Sequence, residues 1–195
     1  MAPFIGLTGG IGSGKSTALA AMERLGAATL SSDRVVHELY ESDEVRRLVA
    51  ERFGPGVIRD GEVDRGAVAR AAFATDEDRR WLEQLLWPRV GERMIAWRAE
   101  QDQRTPPPRA LVVEVPLLFE SGHDRGYDAT IAVIADEAIR EARAGARGHQ
   151  ALDERVARQL TQEEKSQLAT YTVVNDGTEA ELEARLSSIL EMLST

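Results

Sequence analysis

The sequence predicts a three-layer α/β fold with a parallel central sheet. Three observations carry this. An apolar strand pattern over residues 3–8 runs into a glycine-rich turn and then a helix-patterned segment. Two later runs, residues 110–115 and 129–134, are apolar nearly throughout, as strands covered on both faces are. Helix-patterned segments separate the strands, as parallel crossovers require.

Taken in order, Phe4, Ile5 and Leu7 mark the first strand. Residues 16–25 form a helix with Leu19, Met22 and Leu25 on one stripe, stopped by Gly26. Residues 27–30 are a second strand. The stretch from 32 to 103 reads as mostly helical, with helices over 33–40, 43–53, 64–73 and 76–98. Gly54-Pro55-Gly56 breaks the second of these, a turn is expected over 59–61, and Pro88 is expected to kink or split the last helix. This block has the look of an inserted substrate-binding region, and the run Thr105 to Pro108 is a stiff connector. Helices are expected over 137–147, 152–160 and 163–169, and a last strand over 171–174. Residues 178–193 close the chain as an amphipathic helix whose start carries a capping box, Thr178 with Glu181. Trp81, Trp87 and Trp97 are read as packing residues of the insert.

A length of 195 residues suits one domain of this class. The net charge of −9 argues against a long basic surface for nucleic acid, while leaving room for a local Arg-lined pocket. Without cysteine there are no disulfides, thiolate nucleophiles or Cys-based zinc sites, and three scattered histidines argue against a structural metal cluster. The N-terminal apolar run is short and lacks a basic leader, so neither signal peptide nor membrane span is expected. The simplest location is the cytoplasm.

The sharpest motif is Gly9-Gly10-Ile11-Gly12-Ser13-Gly14-Lys15-Ser16, a full G-x-x-x-x-G-K-[ST] pattern between a strand and a helix. Its backbone N–H groups converge on phosphate oxygens, and the helix that follows turns its positive end to the anion. Gly10, Ile11, Gly12, Ser13 and Gly14 line the cradle, Lys15 reaches the β- and γ-phosphates, the Ser16 hydroxyl holds Mg²⁺, and Thr17 adds an α-phosphate contact. GTPases carry N-K-x-D for guanine, whereas the nearest string here, Val174-Asn175-Asp176-Gly177, has no lysine. Length and the helical insert favour a small-molecule kinase using ATP.

The chain also resembles the dephospho-CoA kinase family from about residue 4 to about residue 178. The segment Gly6 to Thr17 looks like that family's opening, and Val115-Pro116-Leu117-Leu118-Phe119-Glu120 matches its V-P-L-L-[FV]-E. Ser31-Ser32-Asp33, Val63-Asp64-Arg65 with Phe73, and Leu85 to Pro88 stand where the family has its own signals. Arg143 and Arg147 match lid arginines, and Arg155, Gln159, Lys165, Asn175 and Gly177 match the closing pattern. Departures are Ser31 for an Asp, Glu114 for an Asp, Trp87 for a His, and Thr170 for an Asp. The resemblance implies a P-loop NTPase fold with a lid, in which ATP phosphorylates the ribose 3′-hydroxyl of dephospho-CoA. On that reading the single domain has its core at about 1–31, 109–136 and 171–195, an acceptor-binding insert at about 32–108 and a lid at about 137–170.

Residue by residue, the alternatives are concrete. Asp33 is a helix N-cap by type; the resemblance makes it the general base or hydroxyl orienter. Arg143 and Arg147, four apart, are a solvated basic face or a lid clamp on ATP. Arg140 lies near that face but is no part of the motif. Asn175 and Gly177 form a turn or flank the adenine. Glu114 is either a solvent-exposed strand end or a support for Mg²⁺ through water. Pro116, Leu117 and Leu118 shape the acceptor wall, and Arg65, Glu120 and Lys165 are implied acceptor contacts. Within enzymes the competing reading is another small-molecule P-loop kinase, such as a nucleoside monophosphate kinase. Outside them it is a non-catalytic nucleotide-binding regulator.

Overall fold

The computed structural model describes residues 2–145 and 159–193. Its centre is a five-stranded parallel sheet in the order β2-β5-β1-β6-β7. The strands are β1 (Phe4–Gly9), β2 (Ala28–Ser31), β5 (Leu111–Glu114), β6 (Ala129–Ile134) and β7 (Tyr171–Val174). β1 lies between β5 and β6, with Leu7 opposite both Glu114 and Ile131. All six residues of β1 and all four of β5 are buried, which is why their sequences are apolar runs without alternation.

Helices α1 (Lys15–Arg24) and α8 (Glu179–Leu193) supply one layer of this unit. Ala18, Ala21 and Met22 from α1 and Leu182, Leu186, Ile189 and Leu190 from α8 share a core with Ile5, Leu7, Val112, Ile131, Val133 and Val173. The α8 capping box forms as expected: the Thr178 backbone N–H donates to Glu181 Oε2 at 2.8 Å, and the Glu181 N–H donates to Thr178 Oγ1 at 3.3 Å. α1 ends where Gly26 takes φ +90°, a left-handed value that favours glycine.

At Gly6 the sheet is approached closely. A Cβ there would stand 2.9 Å from Leu118 Cδ2 and 3.1 Å from Tyr127 Cδ2. Tyr127 in turn stacks on Phe4 with ring centroids 4.6 Å apart, and burial pushes its phenol up to about 12. α6 (Glu137–Gly145) follows β6, and α7 (Gln162–Leu168) precedes β7.

The chain forms two compact units, Met1–Ser31 with Arg98–Thr195, and Ser32–Trp97. The second holds α2 (Ser32–Glu41), α3 (Asp43–Phe53), the hairpin β3 (Ile58–Arg59) and β4 (Glu62–Val63), α4 (Arg65–Ala72) and most of α5 (Asp76–Asp102). Its own core gathers Tyr40, Val45, Val49, Val57, Val68, Leu85 and Leu86, with Trp81 packed edge-on to Phe53.

Two expectations change here, at Pro88 and Trp87, while the turn expected over 59–61 forms. α5 runs unbroken through Pro88, and Arg89 Nη1 donates to Leu85 O at 2.8 Å, giving that carbonyl a side-chain partner one residue beyond the proline. The turn at 59–61 closes a two-stranded hairpin, with Asp60 at φ 53° and Gly61 at φ 83°, the backbone that an Asp-Gly hairpin turn requires. Trp87 is 47% exposed and is no core residue. The helix expected over 152–160 falls largely outside the described residues. Among the described residues no helix is long and apolar enough to cross a membrane.

Candidate functional site: a phosphate cradle at the carboxyl edge of the sheet

The glycine-rich loop leaves β1 at Gly9 and enters α1 at Lys15, so it crowns the central strand. Gly14, at the N-cap of α1, takes φ 92° and ψ 27°, and Gly12 takes φ 75°. Space also demands glycine at both positions. A Cβ at Gly12 would collide with Arg140 O and stand 2.9 Å from Arg140 Cα, and one at Gly14 would collide with the Asn175 amide.

Side chains hold the loop from its carbonyl groups. Lys15 Nζ donates to Gly10 O at 3.0 Å. Arg140 Nε donates to Ile11 O at 2.9 Å, and Asn175 Nδ2 donates to Ser13 O at 2.8 Å. Arg143 Nη1 donates to Asn175 O at 3.1 Å, so α6 and the end of β7 are tied to one another beside the loop. Ser16 is exposed at the first turn of α1, while Lys15 and Thr17 are half-buried. Ser13 is fully buried, and its hydroxyl has no hydrogen-bond partner among the described residues.

Asn175 is thus buried and committed to the loop, while Gly177 is exposed in the turn before α8. Arg140, set aside in the sequence reading, stands directly against Gly10 and Gly12. Its spacing of three from Arg143 on one helix was the available signal. Arg147 lies outside the described residues.

A second cluster stands at the ends of β1 and β5. Glu114 is 8% exposed, so the reading of it as a solvent-exposed strand end does not hold. Lys165, on α7, is fully buried. Its ammonium donates to Pro116 O at 2.8 Å, pairs with Glu120 Oε1 at 2.7 Å and lies 3.4 Å from Thr8 Oγ1. Those three partners use all three N–H groups of the amine. Burial lowers the amine's pKa, and Glu120 opposes that shift. Glu120 Oε1 also accepts from the Leu160 N–H at 2.8 Å. Leu118 is fully buried against β1, whereas Pro116 and Leu117 are half-buried.

Within the helical unit, Asp33 is the second residue of α2, exposed in its first turn, one residue past the helix start that follows β2. Arg65 is the exposed first residue of α4, whose N-cap is Asp64 accepting from the Ala67 N–H. Among the described residues, no three His, Cys, Asp or Glu side chains group as a metal site.

A five-stranded parallel sheet with a glycine cradle at the carboxyl end of its central strand defines a P-loop NTPase fold. Comparison with known proteins narrows that class. The profile of the dephospho-CoA kinase (CoaE) family matches residues 3–181. A dephospho-CoA kinase of Symbiobacterium thermophilum is 40% identical over 190 residues, covering 93% of this chain and 79% of the relative. Among solved structures, TT1252 from Thermus thermophilus is 31% identical with a TM-score of 0.80, covering 100% of this chain and 99% of that one. A dephospho-CoA kinase from Campylobacter jejuni shares the fold at a TM-score of 0.70 and 22% identity, covering 100% of this chain and 98% of that one. The chain belongs to the dephospho-CoA kinase family.

Proposed function

We propose that the chain transfers the γ-phosphoryl group of ATP to the ribose 3′-hydroxyl of dephospho-CoA, giving coenzyme A and ADP, in the cytoplasm. The single observation that carries this is the intact phosphate cradle in a chain of this family. Phosphoryl transfer asks a protein mainly to position two substrates and to stabilise charge. The loop from Gly10 to Thr17 takes the ATP phosphates, with Lys15 exchanging Gly10 O for phosphate oxygens. The orphaned Ser13 hydroxyl is consistent with a loop built around a ligand.

The donor set also fits Mg²⁺. A cation that keeps several waters and is bound largely through nucleotide phosphates needs few protein ligands. The Ser16 hydroxyl would hold it, with Glu114, buried at the end of β5, as the outer support through water. The chemistry it supplies when bound is neutralisation of charge on the β- and γ-phosphate oxygens.

Asp33 accepts the proton of the 3′-hydroxyl or orients that hydroxyl for in-line attack. Arg143, with Arg147, offsets the charge that spreads over the transferring group. Arg65 meets the phosphate-rich body of the acceptor. Pro116 and Leu117 form its apolar wall. Lys165, whose amine is committed to Pro116 O, Glu120 Oε1 and Thr8 Oγ1, and the buried Leu118 hold that wall in place. The test is ADP release with a panel of acceptors. Turnover with dephospho-CoA but not with AMP, CMP or shikimate supports the reading; preference for a nucleoside monophosphate overturns it.

A further inference from the structure

In the phosphate loop, the carbonyls of Gly10, Ile11 and Ser13 are held by three side chains from three different elements: Lys15 of α1, Arg140 of α6 and Asn175 after β7. This matters for a cradle that binds through N–H groups. A planar trans peptide carries its C=O and N–H on opposite sides, so fixing Ile11 O fixes the direction of the Gly12 N–H. Left unheld, a loop rich in glycine would lose that orientation to backbone freedom before each binding event.

We propose that Arg140 is a positioning residue for this cradle. It anchors Ile11 O and keeps the following N–H groups turned toward the phosphates of the bound nucleotide. The inference rests on the kinase reading above and deepens it. Two further observations support it. The backbone of Arg140 is seated on the loop so closely that Gly12 has no room for a Cβ. The guanidinium is itself held, with Nη1 2.6 Å from Glu137 Oε2 and a side chain only 19% exposed. Arg140 and Arg143 then act from one helix: the first holds the loop directly, the second holds Asn175, which holds Ser13 O.

The experiment compares the full-length wild type with Arg140→Met and Arg140→Gln, by calorimetric titration with ATP and by steady-state kinetics. Gln places its amide nitrogen on Cδ, where Arg carries Nε, and so keeps a donor without the charge. Loss of a charge-assisted hydrogen bond predicts that Arg140→Met weakens ATP affinity and raises the KM for ATP by about tenfold. The KM for dephospho-CoA and kcat at saturating ATP stay within about twofold, as for loss of uniform binding. Arg140→Gln regains affinity to within about threefold of wild type. Wild-type ATP affinity in Arg140→Met overturns the proposal. So does an Arg140→Gln protein as weak as Arg140→Met, because charge and not the anchor would then be responsible. Should Arg140→Met fail to fold, Glu137→Ala carries the test by removing the acceptor that holds the guanidinium. A fall of about threefold in ATP affinity supports the anchor, and no change overturns it. A wild-type chain that binds no ATP fails the kinase reading itself, which the first titration reveals before any variant is compared.

Discussion

Replacing Lys165 by Met removes a fully buried ammonium and leaves a side chain of similar length. The amine holds Pro116 O at 2.8 Å and Glu120 Oε1 at 2.7 Å, so both lose a donor at once. The Glu120 side chain is only 12% exposed, and its Oε2 has no hydrogen-bond partner among the described residues even with lysine present. After the substitution its carboxylate keeps the Leu160 N–H at 2.8 Å. Removing one partner of a buried pair typically costs about 3–5 kcal/mol, because a charge is left in low dielectric. For a chain of this size that lowers Tm by roughly 6–20 °C. The double variant Lys165→Met, Glu120→Leu removes both charges and should recover most of the loss. Thermal unfolding followed by circular dichroism, with urea melts for ΔG, measures all of these states. A Lys165→Met protein within about 1 kcal/mol of wild type, or a double variant no more stable than the single, refutes the buried-pair argument.

Three other outcomes are expected. Gly6→Ala puts a methyl 2.9 Å from Leu118 Cδ2 and 3.1 Å from the Tyr127 ring, and overpacking of that kind should cost about 1–3 kcal/mol in a urea melt. Asp33→Asn should keep ATP affinity in calorimetry while kcat falls by about a hundredfold or more, the range for a positioned proton acceptor; wild-type turnover removes Asp33 from the chemistry. Glu181 at the start of α8 has its carboxyl held below the ordinary value of 4.5 by the Thr178 N–H first and the Thr178 hydroxyl second. A carboxyl depressed on folding stabilises above its unfolded pKa and loses that contribution as pH falls through the folded one. The Tm gap between wild type and Glu181→Gln should therefore be full near neutrality and close as pH falls below 4.5 and through the depressed folded value.

Much of this architecture was legible because burial on both faces writes itself into strands as apolar runs. β6 (Ala129–Ile134) and β7 (Tyr171–Val174) begin and end where the sequence reading placed them. The phosphate loop was legible for a different reason: its glycines answer a local backbone requirement, visible in eight consecutive residues. Pro88 does not split α5 because a proline's cost is local, while the surrounding helix is held by a core that includes Leu85 and Leu86 on the same helix. Lys165 was hard to place because a lysine in sequence carries no mark of burial, and its partners Thr8, Pro116 and Glu120 come from distant stretches. For Arg140 the spacing from Arg143 marked only a shared helix face, because its acceptor Ile11 is 129 positions away. Spacing shows which residues share a helix face, but only the fold shows what that face meets.

The central claim is a transfer, and one measurement meets it head on. The purified chain is incubated with ATP, Mg²⁺ and dephospho-CoA, and the products are resolved by mass and by phosphorus NMR. The account predicts coenzyme A bearing one new phosphoryl group on the 3′ oxygen, with ADP formed in equal amount and no product from Lys15→Ala. ATP hydrolysis that leaves dephospho-CoA unchanged, or a phosphoryl group on another oxygen, contradicts it.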